Sequence, residues 1–240
     1  MPYPRILPYG DAAILVEYGD TIDRDLNARV MALDAVIDDL ALDGVLETMP
    51  SFRSLMIRFD PMVTDHAILE NAVMPHAHKV KASAKTGRHW KLPVCYDAAI
   101  APDLDEVAER TGLTTGEITR LHSETELHVY MIGFLPGHPY LGDLPDVLNI
   151  PRRSNPRTRV PRGSVAIAIG MSVIYPVESP GGWSIIGRTP VPLFSFDSQN
   201  PSLFAPGDRI DVAPVDKAEF DRIETAIAAG KWTANREMRG

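Results

Sequence analysis

Three glycine- and proline-rich loops between residues 133 and 190 carry the side chains best suited to chemistry. The first, GFLPGHPYLGDLP (133–145), holds His138, Tyr140 and Asp143. A histidine titrates near neutral pH and can serve as general acid or base; the bland alternative is a histidine in a surface turn. The second loop, IPRRSNPRTRVPRGS (150–164), holds Arg152, Arg153, Arg157, Arg159 and Arg162 with no acidic residue among them. Guanidinium groups capture carboxylate or phosphate in bidentate fashion. This loop is therefore a candidate anion site in a chain whose net charge is −8, unless the arginines pair with the protein's own carboxylates. The third loop, YPVESPGGWSIIGRTP (175–190), adds Ser179, Gly181, Gly182, Trp183 and Arg188.

Glycine lets backbone N–H groups approach a ligand because no Cβ intervenes. Proline presets turns and lowers the entropy lost on ordering. Together the loops describe one preorganised site, expected at the mouth of a β-barrel. His138, Tyr140 and Arg188 are its catalytic candidates. Arg152, Arg157, Ser179, Gly181, Gly182 and Trp183 are its substrate or anion contacts, with a core role as the alternative for Trp183. Ser179 lacks the glycine two residues earlier that a nucleophile elbow needs. Neither a Walker A loop nor G-x-G-x-x-G occurs in the chain.

The elements that must hold these loops fall into two groups. Residues 11–18 alternate as a strand, and Ile22, Leu26, Val30, Leu33, Ile37 and Leu40 form one apolar stripe at helical period. Residues 44–49 and 53–59 read as strands, and 64–74 as a helix capped by Thr64 or Asp65. Strand, helix, strand, strand, helix suggests a small ferredoxin-like α+β domain. Residues 76–89 are polar, basic and poor in large hydrophobes, and read as a linker. The expected division is an N-terminal α+β domain over 1–80, a linker over 81–90, and a β-barrel domain over 91–240. Beyond Lys91 two short helices, about 103–111 and 114–123, precede the β-like runs ELHVYMIGF, SVAIAI, SVIYPV, WSIIG and DRIDVAP. Such spacing suits a closed or partly closed barrel. A last helix is expected over about 216–229.

Composition excludes several classes of function. The acidic balance argues against non-specific nucleic-acid binding. The two short helices resemble a helix-turn-helix, but Asp103, Asp105, Glu106 and Glu109 crowd the helix that would face phosphates. No apolar run reaches the length of a membrane span, and the single cysteine, Cys95, suits a reducing compartment. A cytoplasmic protein with no membrane contact is expected. His76, His78 and His89 have no carboxylate or cysteine beside them in sequence, so no metal site is expected.

The stretches GFLPGHPYLGDLP, PRRSNPRTRVPRGSVAIA, IYPVESPGGWSIIGRTP and LFAPGD resemble the allophanate hydrolase subunit 1 family. That family includes the sporulation-kinase inhibitor KipI and the B-type component of the bacterial ATP-dependent 5-oxoprolinase. ILPYGDAAILVEYGD and PSFRSLMIRFDP resemble its N-terminal signatures. The resemblance implies an α+β domain followed by a cyclophilin-like barrel. It implies work with a homologous C-type subunit and a lactam-processing A-type subunit, opening 5-oxoproline to glutamate with ATP as the cofactor of the complex. The same family resemblance admits a KipI-like kinase inhibitor, or half of a biotin-dependent carboxyltransferase acting on urea-like amides. This chain departs from the family pattern at His138, where Phe is usual, and at Arg162, where Ala is. It also departs at Met171 and Val173, where Gln and Gly are usual, which bears on the identity of the substrate.

Overall fold

The computed structural model describes residues 3–82, 87–196, 200–232 and 236–237. The chain divides into two compact units, Met1–Lys85 and Thr86–Gly240, and is α+β overall.

In the first unit, strands β1 (Arg5–Pro8), β2 (Ala13–Glu17), β3 (Val45–Pro50) and β4 (Ser54–Phe59) form one antiparallel sheet in the order β1-β2-β4-β3. Helices α1 (Arg24–Leu40) and α2 (His66–Lys79) pack on it. Asp23 starts α1 by accepting from the amides of Asp25 and Leu26. The predicted stripe is buried at Val30, Leu33 and Ile37, whereas Ile22 lies outside the helix and is exposed. Strand β1 was not expected. It takes the edge beside β2, where a ferredoxin-like order would place a strand following α2.

Helix α2 runs past Pro75 to Lys79, so residues 76–79 are helical rather than linker. The proline removes one backbone donor. The turn beyond it is held by Val80 N–H donating to the His76 carbonyl, by the Tyr18 hydroxyl donating to the Ala77 carbonyl, and by the burial of Ala77.

The second unit is a closed barrel of seven strands: β12 (Ser184–Arg188), β9 (Ser164–Ala168), β10 (Met171–Ile174), β7 (Pro139–Gly142), β6 (Leu127–Ile132), β13 (Arg209–Val215) and β5 (His89–Cys95), which pairs back onto β12. Only β5 and β13 run parallel, in register from His89 opposite Arg209 to Cys95 opposite Val215. Strand β14 (Arg236–Glu237) pairs with the start of β5. Strands β8 (Arg157–Val160) and β11 (Ser179–Gly181) pair with each other. Helices α3 (Leu104–Thr111) and α4 (Thr115–Glu124) form the expected hairpin, closed by a capping box between Thr114 and Glu117. Helix α5 spans Lys217–Ala228.

Strand β5 is not among the expected strands, and its Pro93 is a residue a central strand disfavours. The structure accommodates it between two partial neighbours. Strand β14 pairs at His89 and Trp90, β12 pairs only at Cys95, and Pro93 faces neither. Since His89 and Trp90 belong to β5, the connection between the units narrows to 80–88.

The barrel interior is filled by Leu92, Val94, Val129, Leu141, Val165, Ile167, Ile174 and Ile186, among others. The LFAPGD turn is held by its own aspartate. Asp208, 2% exposed, accepts from the Arg88 guanidinium, the Trp90 indole and the backbone amides of Arg88 and Ala205.

Candidate functional site

Side-chain alternation assigns the candidate residues to a face. Tyr140 on β7 lies opposite Val173 on β10, which lies opposite Ala166 on β9, which lies opposite Ile185 on β12. Their strand neighbours Leu141, Ile174, Val165, Ile167 and Ile186 point into the barrel core. The Tyr140 row therefore faces outward from the wall. This corrects the expected position: the aromatic site lies on the outer face of the wall and not at the mouth, because period-2 alternation turns Tyr140 away from the lumen.

On that face His138 is the hub. Its ring meets Phe134 at 5.6 Å, Tyr140 at 5.1 Å and Tyr175 at 5.2 Å, and Tyr140 meets Trp183 at 6.2 Å. His138 is 2% exposed, and its Nδ1 is buried without a hydrogen-bond partner among the described residues. Burial pushes its pKa down to about 4. At neutral pH it is thus a neutral imidazole able to give or take one hydrogen bond, and not a reservoir of imidazolium. Burial raises the Tyr140 phenol, with the Arg152 charge opposing, and pushes Tyr175 up to about 12. Both hydroxyls keep their protons.

The loop GFLPGHPY is shaped to hold this hub. Phe134 adopts φ +70 and is exposed, while Gly137 adopts φ +73 where an added Cβ would crowd Phe194 and the Leu193 carbonyl. A non-glycine residue in the left-handed region costs on the order of 1–3 kcal/mol and recurs at binding loops.

The glycines of SPGGW differ in need. A Cβ on Gly181 would stand 2.3 Å from the Tyr175 hydroxyl, whereas one on Gly182 would make ordinary contact with Pro156 at 3.5 Å. Gly181→Ala is expected to cost about 1–3 kcal/mol, the usual penalty for overpacking, and Gly182→Ala less than about 0.5 kcal/mol. Thermal denaturation of the two variants side by side checks this, and equal melting temperatures would contradict it.

The arginines divide by partner. Arg157 binds Asp103 through both terminal nitrogens, Nη1 at 2.8 Å. Arg153 reaches Asp103 at 3.2 Å and Glu106 at 2.6 Å. Asp103 is 2% exposed and also accepts from the Ile185 amide at 2.7 Å. It ties α3 and β12 to the arginine loop. Arg157, expected as an anion contact, is therefore already committed to a carboxylate of its own chain. Arg159 pairs with Glu178 on the surface. Arg188, expected beside His138, is the last residue of β12, roughly 16 Å along the strand from Trp183 at about 3.3 Å per residue. It donates to the Arg162 carbonyl and stacks over Phe220 of α5.

Arg152 remains. Its guanidinium lies over the Trp183 ring at 5.3 Å, and among the described residues no carboxylate pairs with it. Ser179 is buried, its hydroxyl without a partner among the described residues. The structure thus brings together His138, Tyr140, Trp183 and Arg152, with Gly181 supporting through Tyr175. Arg157 borders the group, opposite Gly181 across the β8–β11 pair and near enough for its charge to act on the Tyr175 phenol, but its guanidinium is held by Asp103. Arg188 lies at the far end of β12. Met171 and Val173 are buried on the same outward side, with Val173 directly opposite Tyr140, so the departures from the family pattern fall on this face.

Sequence reasoning missed Tyr175 as a wall of the site and Asp103 as the arginine anchor. An aspartate just ahead of a helix reads as a cap. The signal that could have revealed it is a five-arginine loop with no acid of its own.

Residues 4–204 match the carboxyltransferase domain, subdomains C and D, and the chain belongs to this family, in the branch that holds the 5-oxoprolinase B-type subunits and allophanate hydrolase subunit 1. It is similar to the B-type subunit of 5-oxoprolinase from Bacillus subtilis strain 168, with 33% identity over 228 residues, covering 90% of this chain and 95% of that one. It is similar also to the corresponding 5-oxoprolinase component of Escherichia coli O157:H7, with 33% identity over 227 residues, covering 89% and 97%. The fold recurs in the K. lactis urea amidolyase, at a TM-score of 0.80 and 22% identity over 97% of this chain, which spans 16% of that much longer one.

Proposed function

We propose that this chain is the B-type component of an ATP-dependent 5-oxoprolinase, acting with a homologous C-type subunit and an A-type subunit to open 5-oxoproline to glutamate. The observation that carries the reading is the 33% identity to a named B-type 5-oxoprolinase subunit along 90% of the chain. The outer aromatic face suits such a substrate. A lactam ring is flat, its amide seeks one donor and one acceptor, and its carboxylate seeks a cation. Tyr140 and Trp183 offer ring surfaces, the His138 imidazole a neutral polar group, and Arg152 the cation. In the complex, ATP phosphorylates the lactam oxygen and leaves as ADP. One water would then add to the activated carbon and the ring C–N bond would break, the nitrogen leaving as the amine and the carbon as an acyl phosphate. A second water would hydrolyse that acyl phosphate to glutamate and inorganic phosphate. Arg152 would balance negative charge that develops beside it. The setting is cytoplasmic. The first unit is a ferredoxin-like domain whose edge strand comes from the N-terminal segment, and the second a cyclophilin-like barrel.

A second reading, half of a carboxyltransferase acting on urea-like amides, is favoured by the family description and by the fold shared with the urea amidolyase. One experiment separates the two. Glutamate formation is measured from 5-oxoproline and ATP with A- and C-type subunits, this chain present or omitted. The expected result is product only in the full mixture. A full, stably assembled mixture that leaves 5-oxoproline untouched would overturn the first reading.

A further inference from the structure

The barrel brings together three metal-ligating groups that lie far apart in the sequence. His89 opens β5, Asp211 lies on the neighbouring β13, and Glu126 directly precedes β6 on the other side of β13. Strands β13 and β6 pair Arg209 with His128 and Ile210 with Leu127. One further step in that register sets Glu126 beside Asp211. One donor atom from each of His89, Glu126 and Asp211 lies within 4.8 Å of the others.

We propose that His89, Glu126 and Asp211 form a binding site for a divalent transition ion of the Zn²⁺ type. His89 carries the case. It is 2% exposed, and neither ring nitrogen makes a hydrogen bond among the described residues. Yet its Nε2 stands 2.9 Å from Asp211 Oδ2. The separation is short enough for a hydrogen bond, but the directions are wrong for one. Two ligands of one ion behave this way, because each lone pair points at the metal and not at the other ligand. Donors about 2.0–2.1 Å from a tetrahedral Zn²⁺ lie roughly 3.3 Å apart; His89 and Asp211 stand at 2.9 Å, and the three donor atoms, all within 4.8 Å of one another, would draw together on an ion.

One imidazole with two carboxylates is a donor set for a borderline ion, and water would complete the coordination. Arg209, whose Nη1 is 3.9 Å from Glu126 Oε2, is the cation already beside the site. Both carboxylates have further polar partners, and each offers a second oxygen to keep them. A bound ion would clamp β5, β13 and β6 at one end of the barrel. The site is separate from the outer aromatic face and does not depend on the function proposed above.

The test is calorimetric titration of the full chain, stripped of metal, with Zn²⁺, together with the visible spectrum on adding Co²⁺. One equivalent is expected to bind at micromolar or tighter affinity, with a Co²⁺ spectrum of low coordination number. Asp211→Asn and Glu126→Gln keep shape while removing charge. Each should weaken binding at least tenfold, the scale found for perturbed metal sites, and leave the metal-free melting temperature unchanged. Zn²⁺ should raise the melting temperature of the parent chain and not of the variants. Absence of a one-equivalent site, undiminished affinity in both variants, or tighter binding of Mg²⁺ or Ca²⁺ than of Zn²⁺ would each overturn the proposal.

Discussion

Asp103→Ala is expected to remove about 3 kcal/mol from the stability of the barrel unit, the lower end of the range for breaking a buried ion pair. The carboxylate is 2% exposed and serves Arg157, Arg153 and the Ile185 amide at once. Without it the Ile185 N–H loses a buried acceptor and two guanidinium groups face each other with Glu106 alone between them. Arg153 and Arg157 retain 24% and 28% side-chain exposure, so water takes up part of the loss. That places the effect at the low end. Asp103→Asn, which keeps an acceptor for Ile185, should lose less. Urea unfolding followed by tryptophan fluorescence measures both, and a loss below about 1 kcal/mol for Asp103→Ala would show that the arginine loop is solvated after all.

Acid should weaken the same unit well before its carboxylates are all protonated. His122 and His138 are both buried, and burial pushes each pKa down to about 4. His122 sits inside the barrel between the Tyr96 hydroxyl at 2.6 Å and Ser172 Oγ at 3.0 Å. In the unfolded chain both return to about 6.5. Between pH 6.5 and 4 the unfolded state therefore binds more protons, and stability falls as pH falls. The contribution is fully present above about pH 6.5 and is lost on the way down to about pH 4, by about 3 kcal/mol for each histidine at about 1.4 kcal/mol per pKa unit. His138→Phe removes one of the two titrations and keeps an aromatic ring among Phe134, Tyr140 and Tyr175. Unfolding free energies at several pH values should show the variant losing roughly half of the histidine-linked slope. A variant as steep as the parent would mean that His138 is not held neutral.

The legible parts of the fold were those written in periodicity and capping. The stripe through Val30, Leu33 and Ile37 and the Thr114–Glu117 box were readable because each depends on residues within a turn or two. Strand β5 was not read in the sequence; its Pro93 is tolerated because the two strands that share its outer edge leave that residue uncovered. Strand β1 was hidden because nothing in RILP distinguishes an edge strand from an extended lead-in. The candidate site was legible as a set of loops but not as a place. That Arg153 and Arg157 are tied down while Arg152 is left to the aromatic face depends on Asp103, some fifty residues away, and the placing of Arg188 depends on the strand register that puts it at the far end of β12. The outward turn of Tyr140 likewise depends on pairing with Val173, a long-range fact that no local pattern carries.

Arg152→Ala compared with Arg159→Ala in the reconstituted complex tests most directly whether the outer aromatic face is the working surface. Both arginines are exposed, but Arg152 lies over Trp183 whereas Arg159 pairs with Glu178. Loss of a charge-assisted contact worth about 1.5–3 kcal/mol lowers kcat/KM by roughly 10- to 100-fold. That loss is predicted for Arg152→Ala at an unchanged melting temperature, with Arg159→Ala retaining the parent rate. Equal rates in the two variants, or a loss greater for Arg159→Ala, would contradict it.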